Sequence, residues 1–505
     1  MGERGLARQG RDLTSLAQVR HFLAFDIGAE SGRAIRGSLN GGSLALTEVC
    51  RFANGPVRDN GSLRWDISRV WREMQSALER LGTERLEGIG VDAWGCDYGL
   101  IREDGSLIER PFTYRDTRTE GVIEEVLTKV PRERIYAMTG IQFLWFNTLY
   151  QLYATCRRTP EVVASAHRIA MIPDMLNYWL SGKLRAELTN ATTTQYVNAS
   201  TRRWATDLLD ALDIPARLLP ELVEPGTILG SLRREANAAL SGTPVVLPAC
   251  HDTGSAFAAV AASGTTAFLS SGTWSLLGTE LVAPIITPRA LELDFTNEGG
   301  VCGTTRLLKN ISGLWLLQSC RRSWAASGRA YEYEELVSAA GAERPFQTLL
   351  DPDSPAFRNP VDMVLAIDGF CHQTEQPAPV GPPSYSRAIM ESLAFKYRSV
   401  LESLEELTGR RFDAIRVVGG GSQNRLLNQF TADATGRTVI AGPMEATALG
   451  NIAMQMLATG AVSSLAEARA IIERSFPVER FHPAETDRWE SHYQRFREYV
   501  ELTCA

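Results

Sequence analysis

The sequence predicts an α/β protein made of two related domains that close on one cleft. Three observations carry that expectation. Phe25-Asp-Ile-Gly-Ala-Glu-Ser-Gly-Arg33 near the start and Phe268-Leu-Ser-Ser-Gly-Thr-Trp-Ser275 past the middle share one plan: strand, Gly/Ser/Thr turn, second strand. The apolar pattern of the first hundred residues then runs strand, hairpin, helix, strand, which is an α/β order. The length of 505 residues allows roughly two to four domains with sizeable cores.

The elements follow in order. His21–Ile27 is an apolar strand that runs into a turn at Gly28–Gly32, and Arg33–Ser38 returns. Asn40-Gly41 is a hairpin signal leading to a third strand, Leu44–Phe52. From about Asp66 a helix is expected, with Val70, Met74, Leu78 and Leu81 on one face. Glu87–Asp92 is a short strand ending in Asp92-Ala-Trp-Gly-Cys-Asp97. Between 100 and 245 the pattern is mixed. Met171-Ile-Pro-Asp174 and Thr189-Asn-Ala-Thr-Thr-Thr-Gln195 read as polar loops there. Val245–Pro248 reads as a strand, and Thr253–Ala262 as a short Ala-rich helix ended by Gly264. The second half restarts at Thr265, then offers helix Arg387–Thr408, strand Ile415–Val418, the turn Gly419-Gly-Gly421 and a further helix. The domain boundary is expected near 263, giving domains 21–263 and 264–505. Residues 1–20 hold Arg4, Arg8, Arg11 and Arg20 without an apolar stretch. They read as a disordered extension, not a signal peptide.

Bulk properties narrow the function classes. Net charge is −7 and the pI about 5.6, so no basic footprint points to nucleic acid. No run approaches the ~18 apolar residues of a membrane span. The eight cysteines are scattered, without C-x-x-C or zinc spacing, so reduced thiols in a cytoplasmic protein are expected.

The twin turns carry the first chemistry. Turns of this kind present backbone N–H groups and hydroxyls to a phosphate. Phosphoryl transfer needs charge neutralisation, Mg²⁺ and alignment more than covalent help. Asp26, at a strand end, can hold Mg²⁺ through water. Gly28 and Gly32 permit a tight turn, Ser31 and Arg33 can donate to phosphate oxygens, and Thr273 does so from the second turn. Cys250-His-Asp-Thr-Gly-Ser255 supplies the catalytic candidate. Asp252 stands just before the expected helix. There it can cap the helix, or act as the general base that takes a proton from a sugar hydroxyl. The two roles are compatible, and His251 fits either orienting the loop or contacting substrate. Val417-Val-Gly-Gly-Gly-Ser-Gln-Asn424 lacks G-x-G-x-x-G spacing but can let a flat base lie against backbone. Walker A, the protein-kinase H-R-D and D-F-G pair and G-x-S-x-G are all absent.

On these residues the sequence resembles the FGGY carbohydrate kinases, a branch of the actin-like ATPases, from about His21 to the C-terminus. Further matches are Tyr114-Arg-Asp-Thr-Arg118, Gly140-Ile-Gln-Phe-Leu-Trp-Phe-Asn147, Thr296-Asn-Glu-Gly-Gly300, Lys309-Asn-Ile-Ser-Gly-Leu-Trp315 and Ala441-Gly-Pro-Met-Glu-Ala-Thr-Ala-Leu-Gly-Asn451. The resemblance implies an α/β fold of two ribonuclease-H-like domains around a central cleft. The N-terminal domain would bind sugar and the C-terminal domain nucleotide. The branch matched most closely implies ATP, Mg²⁺ and L-rhamnulose, with L-rhamnulose 1-phosphate as product. A fuculokinase- or xylulokinase-like activity and a non-catalytic sugar- and nucleotide-binding regulator stand as alternatives. The resemblance puts the phosphate loop at Ala29, Glu30, Ser31, Gly32 and Arg33. Thr273, Gln318 and Gly420 fall on the nucleotide side. Sugar contacts fall on Gly95, His251, Asp252, Thr253 and Asn310, with Asp252 as proton acceptor. Glu30 departs from the wider pattern, in which many members have Ser or Thr; a carboxylate beside a triphosphate would repel it unless it points away or acts through Mg²⁺. The Arg-Glu pair of glycerol kinases is missing from Ala93-Trp-Gly95. Trp94, Phe143, Trp145 and Phe146 are expected near the sugar, where an aromatic face would bury the methyl group of a 6-deoxy ketose. For the last three a plain core role is the alternative. Partners beyond sugar and ATP are not expected, and the chain is read as a monomer or small homo-oligomer.

Overall fold

The structure, a computed structural model, describes residues 19–261 and 264–504. The expected extension before Val19 and the boundary residue Ser263 lie outside the described residues.

The main strands form two mixed sheets. The first contains β1 (Arg20–Ile27), β2 (Ser31–Asn40), β3 (Ser43–Ala53), β4 (Gly88–Ala93), β5 (Ile228–Ser231) and β6 (Pro244–Val246). Its order is β5-β6-β4-β1-β2-β3. The second contains β7 (Thr266–Ser271), β8 (Trp274–Leu281), β9 (Thr296–Gly299), β10 (Thr305–Ser312), β11 (Ala414–Val418), β12 (Thr438–Ala441) and β13 (Glu479–Phe481). Its order is β9-β10-β8-β7-β11-β12-β13. The shared plan is now explicit. β3-β2-β1 is an antiparallel meander, and β10-β8-β7 is an antiparallel trio of the same arrangement, with β9 between β8 and β10 in sequence placed at the edge. Each is followed across the sheet by two parallel neighbours, β4-β6 and β11-β12. The β1–β2 and β7–β8 turns therefore occupy equivalent positions.

β1 reads as a nearly continuous apolar run because both faces of its sheet are covered. On one side lies α1 (Ile67–Leu81), capped by Asp66, with Ile67, Val70, Met74, Ala77 and Leu78 buried. On the other side lies a helix from the second half of the sequence, Ala446–Ala458. Small residues admit it. A Cβ at Gly90 would lie 2.6 Å from Asn451 Oδ1, one at Gly88 2.8 Å from Gln455 Oε1, and one at Gly37 2.8 Å from Ile452. Gln455 Nε2 donates to the Leu23 carbonyl at 2.9 Å, and Asn451 Nδ2 to Asp92 Oδ2 at 2.6 Å. The same helix crosses Asp252–Ala259 at Gly450, where an added Cβ would sit 1.7 Å from the Ser255 carbonyl oxygen.

Three expected elements differ. Ile172–Ser181 is a helix with Pro173 in its first turn, not a polar loop, since proline suits a position whose N–H is unpaired anyway. Thr189–Gln195 is also largely helical, as Leu188–Ala191 followed by Thr192–Thr194. Glu187 caps it by accepting from Thr189 N and Asn190 N. The Ala-rich helix ends at Ala259 with Val260 as its cap, short of the expected Ala262, because the chain turns to an extended conformation toward β7. No helix among the described residues is long and apolar enough to cross a membrane.

Candidate active site

A cavity of about 410 Å³ lies between the two sheets, at the ends where both equivalent turns emerge. It brings together Asp26, Ala29, Glu30, Ser31, Arg33, Gly95, His251, Asp252 and Thr253 from the first half with Thr273, Asn310, Gln318 and Gly420 from the second. Of the phosphate-loop, nucleotide-side and sugar-contact residues expected from sequence, Gly32 is absent from the lining. It lies inside β2, where an added Cβ would be 2.3 Å from the Phe52 ring. Its lack of a side chain serves packing more than the turn.

In the first turn Gly28 N donates to the Ser31 carbonyl at 2.9 Å. Asn54 Nδ2 donates to the Gly28 carbonyl at 2.8 Å, which braces the turn. Arg33 donates to Asp26 Oδ2 from Nε at 3.0 Å and from a terminal nitrogen at 2.5 Å, and pairs with Glu445 at 3.2 Å. Asp26 and Asp92 face each other in register on β1 and β4. Burial, and then Asp26, push the Asp92 carboxyl well up, against the bond from Asn451. Glu30 points to the rim: its side chain is half exposed and lies 3.8 Å from Arg322.

The second turn docks on the start of a helix, Trp315–Ala326. Leu314 N donates to the Gly272 carbonyl at 2.9 Å, and Trp315 N to the Thr273 carbonyl at 3.1 Å. Gln318, one turn into that helix, faces the cavity with its Oε1 buried and unpartnered. Beside them, a Cβ at Gly420 would meet nothing within 4 Å. The backbone there is open to a flat ligand.

Asp252 is the first residue of its helix, whereas His251 is the cap. The carboxylate is therefore one position further in than expected. It accepts from Thr253 N at 2.5 Å and from the Thr253 hydroxyl at 3.1 Å. Its side chain keeps 32% exposure, toward the cavity. Burial raises its pKa, His251 opposes the shift and Asp26 adds to it. Glu187 fixes the approach to this corner, accepting from Cys250 N at 2.9 Å, while Thr189 Oγ1 accepts from His251 N at 3.2 Å.

Opposite stand Trp94 and Gly95. A Cβ at Gly95 would be 2.9 Å from Thr193 Oγ1, so this strand end needs glycine. Trp94 lines the cavity, with its Nε1 donating to Asp97 at 3.0 Å. Asp97 also accepts from Trp65 at 2.6 Å, Gln151 at 2.9 Å and Tyr114 N at 3.1 Å. Full burial still pushes it up to about 6 against those bonds. Phe146 lines the cavity, but Phe143 and Trp145 do not. Phe143 packs in the apolar cluster with Ile135 and Tyr136. Trp145 packs on Phe146, with Trp274 of the second half nearby.

The sequence did not single out three residues that complete this end. Gln142 Oε1 accepts from Asn310 N and from Asn310 Nδ2, both at 3.0 Å, holding Asn310 from the other half. Glu298 on β9 and Arg306 on β10 form a buried ion pair at 3.1 Å beside His251. Burial alone would raise Glu298, but Arg306 and His251 hold it below the usual range. The available signal was one charge in the otherwise uncharged Thr296–Gly299 and, in Thr305–Ser312, an arginine directly ahead of the apolar pair Leu307-Leu308.

Comparisons with known proteins agree over nearly the whole chain. The family models described as the N-terminal and C-terminal domains of the FGGY family of carbohydrate kinases match residues 21–259 and 267–459. The chain is 43% identical over 486 residues to a rhamnulokinase of Bacteroides thetaiotaomicron, covering 95% of this chain and 99% of that one. It is 40% identical over 472 residues to a rhamnulokinase of Halalkalibacterium halodurans, covering 93% and 100%. Among solved structures, gluconate kinase from Lactobacillus acidophilus superposes with a TM-score of 0.79 at 16% identity, covering 97% and 99%. The fold is the ribonuclease-H-like, actin-like ATPase fold in two copies. With both domain families matched and the twin turns opening on one shared cavity, the chain belongs to the FGGY family of carbohydrate kinases and is an ATP-dependent sugar kinase.

Proposed function

We propose that this kinase transfers the γ-phosphoryl group of ATP to the 1-hydroxyl of L-rhamnulose, giving ADP and L-rhamnulose 1-phosphate in L-rhamnose catabolism. The carrying observation is Asp252, a cavity-facing carboxylate in the space that both phosphate turns share. The rhamnulokinase relatives, near 40% identical over almost the full length, support the sugar. In this reading 21–263 is the sugar-binding domain and 264–505 the nucleotide-binding domain.

Asp252 takes the proton of the attacking hydroxyl. Two N–H and O–H bonds from Thr253 fix the carboxylate that must receive it. Gly95, His251, Thr253 and Asn310 hold the sugar. Ala29, Ser31, Gly32, Arg33, Thr273, Gln318 and Gly420 form the nucleotide side, with Glu30 at the rim. Arg33 is engaged by Asp26 and Glu445, so it sets the shape of the phosphate turn as well as its charge.

The residues present fit Mg²⁺. Asp26 and Asp92 are adjacent buried carboxylates, and Asp92 Oδ1 has no partner. No cluster of three or more ligating side chains occurs among the described residues. Asp26 would hold an ion that keeps much of its water through that water. When bound, the ion neutralises phosphate charge. The protein is read as cytoplasmic, a monomer or small homo-oligomer, with no nucleic-acid partner.

A coupled ADP-release assay over a panel of ketoses tests the proposal. L-Rhamnulose should give the highest kcat/KM. A higher value for L-fuculose or D-xylulose would move the assignment within the family, and no sugar-dependent ADP release would make the chain a binding protein.

A further inference from the structure

We propose that Arg306, from the second half of the chain, fixes which ring nitrogen of His251 carries the proton and thereby aims Asp252. It is a positioning residue, and the inference rests on the reading of Asp252 as proton acceptor.

Arg306 is fully buried, and every arm of its guanidinium is engaged. Nε donates to the Gly299 carbonyl at 2.8 Å, and one terminal nitrogen donates to the Thr189 carbonyl at 3.3 Å. Both terminal nitrogens lie 3.3 Å from His251 Nδ1 in hydrogen-bonding geometry. A guanidinium has donors only and stays charged. With Arg306 donating, Nδ1 is the acceptor and the ring proton resides on Nε2, the tautomer that we assign over an Nδ1–H directed at Glu298. Nε2 lies 3.5 Å from Asp252 Oδ1, so the ring presents N–H, and not a lone pair, to the carboxylate. A donor there steadies the ionised, proton-accepting form of Asp252 and adds a third restraint to the two Thr253 bonds that orient it. Glu298 Oε2 also lies 3.3 Å from Nδ1 and 3.1 Å from Arg306. It neutralises the arginine, and without the arginine it would be the natural acceptor for an Nδ1–H. The other charged groups near this cluster are Glu187, Glu280, which pairs with Arg469 at 3.2 Å, and Asp26, which pairs with Arg33. None of them offers a proton to Nδ1. Lysine could not make the same set of bonds, because the fork geometry is lost.

The consequence is that the second domain controls the base of the first. Arg306 and Glu298 stand on the β9–β10 hairpin, whereas His251 and Asp252 belong to the first half.

Side-chain nitrogen NMR of the histidines tests this. The chain has six, so His251 is assigned by its loss in His251→Gln. In the full-length wild type, Nδ1 of His251 should show the shift of an unprotonated ring nitrogen and Nε2 that of a protonated one. Arg306→Gln should reverse the pattern as Nδ1–H turns to Glu298. It should also lower kcat roughly tenfold or more, with KM for ATP unchanged. Glu298→Gln should leave the tautomer as in the wild type. A protonated Nδ1 in the wild type, an unchanged tautomer in Arg306→Gln, or a reversal in Glu298→Gln would each overturn the proposal. If Arg306→Gln does not fold, the wild-type and Glu298→Gln spectra decide. Turnover by Asp252→Asn reports separately on the base assignment, since the tautomer is read without activity.

Discussion

Replacing Asp252 by Asn tests the centre of the mechanism with little structural change. The side chains have the same shape, and Asn Oδ1 can still accept from Thr253 N and from the Thr253 hydroxyl, the two bonds that fix the carboxylate. The helix keeps its first turn, and no apolar contact is lost. What disappears is the capacity to take a proton. Loss of a general base costs roughly 10²–10⁴-fold in rate, or about 3–5 kcal/mol of barrier. The structure adds a pH signature. Burial and nearby Asp26 raise the Asp252 pKa, so the wild-type acid limb should lie above the ordinary aspartate range. Activity is present above that pKa and falls as the pH drops through it, because the base must be ionised. The assay is sugar-dependent ADP release from pH 4 to 8, with binding of an ATP analogue measured in parallel. The variant should bind nucleotide normally and lose turnover. Near wild-type rates in Asp252→Asn, with the acid limb still in place, would reduce Asp252 to a helix-terminal residue and move the base elsewhere.

Trp94→Ala should lower the preference for L-rhamnulose over its 6-hydroxy analogue, read as the ratio of kcat/KM values. Removing the indole opens an apolar wall, and such discrimination is worth about 1–3 kcal/mol. An unchanged ratio would exclude Trp94 from contact with the sugar methyl. Gly450→Ala should lower the Tm, since the new methyl would overlap the Ser255 carbonyl, 1.7 Å away, and overpacking of this kind typically costs about 1–3 kcal/mol. A variant as stable as wild type would mean the crossing helices can separate freely. For Asp97 the sign is opposite to that of a salt-bridged carboxylate. Its folded pKa, about 6, lies above the unfolded value near 3.9, so the native state binds the extra proton. Stability from this group is full below about pH 4 and is lost as the pH rises to about 6. The difference in unfolding free energy between wild type and Asp97→Asn should shrink over that window by about 3 kcal/mol. A pH-independent difference in denaturant titrations would refute the shift.

Much of this protein is local and therefore readable from sequence. The twin turns declare themselves through Gly, Ser and Thr between apolar runs, and α1 through Val70, Met74 and Leu78 at helical spacing. Such signals depend on periodicity and turn chemistry, which a few consecutive residues carry. Where local signals compete, the reading slipped. Pro173 beside Asp174 suggested a loop, yet in the first turn of a helix proline breaks no hydrogen bond. Only the tertiary structure decided how the halves meet. Helix Ala446–Ala458 belongs by sequence to the second half but lies on the first sheet, because Gly37, Gly88 and Gly90 leave room there. The β9–β10 hairpin carries Arg306 and Glu298 to His251, and Asn310 to Gln142, across more than fifty residues of chain in the first case and more than one hundred and sixty in the last. A buried charge has no periodicity of its own. Its meaning is set by the partner that folding brings beside it, and the low polarity of the interior makes that partner decisive.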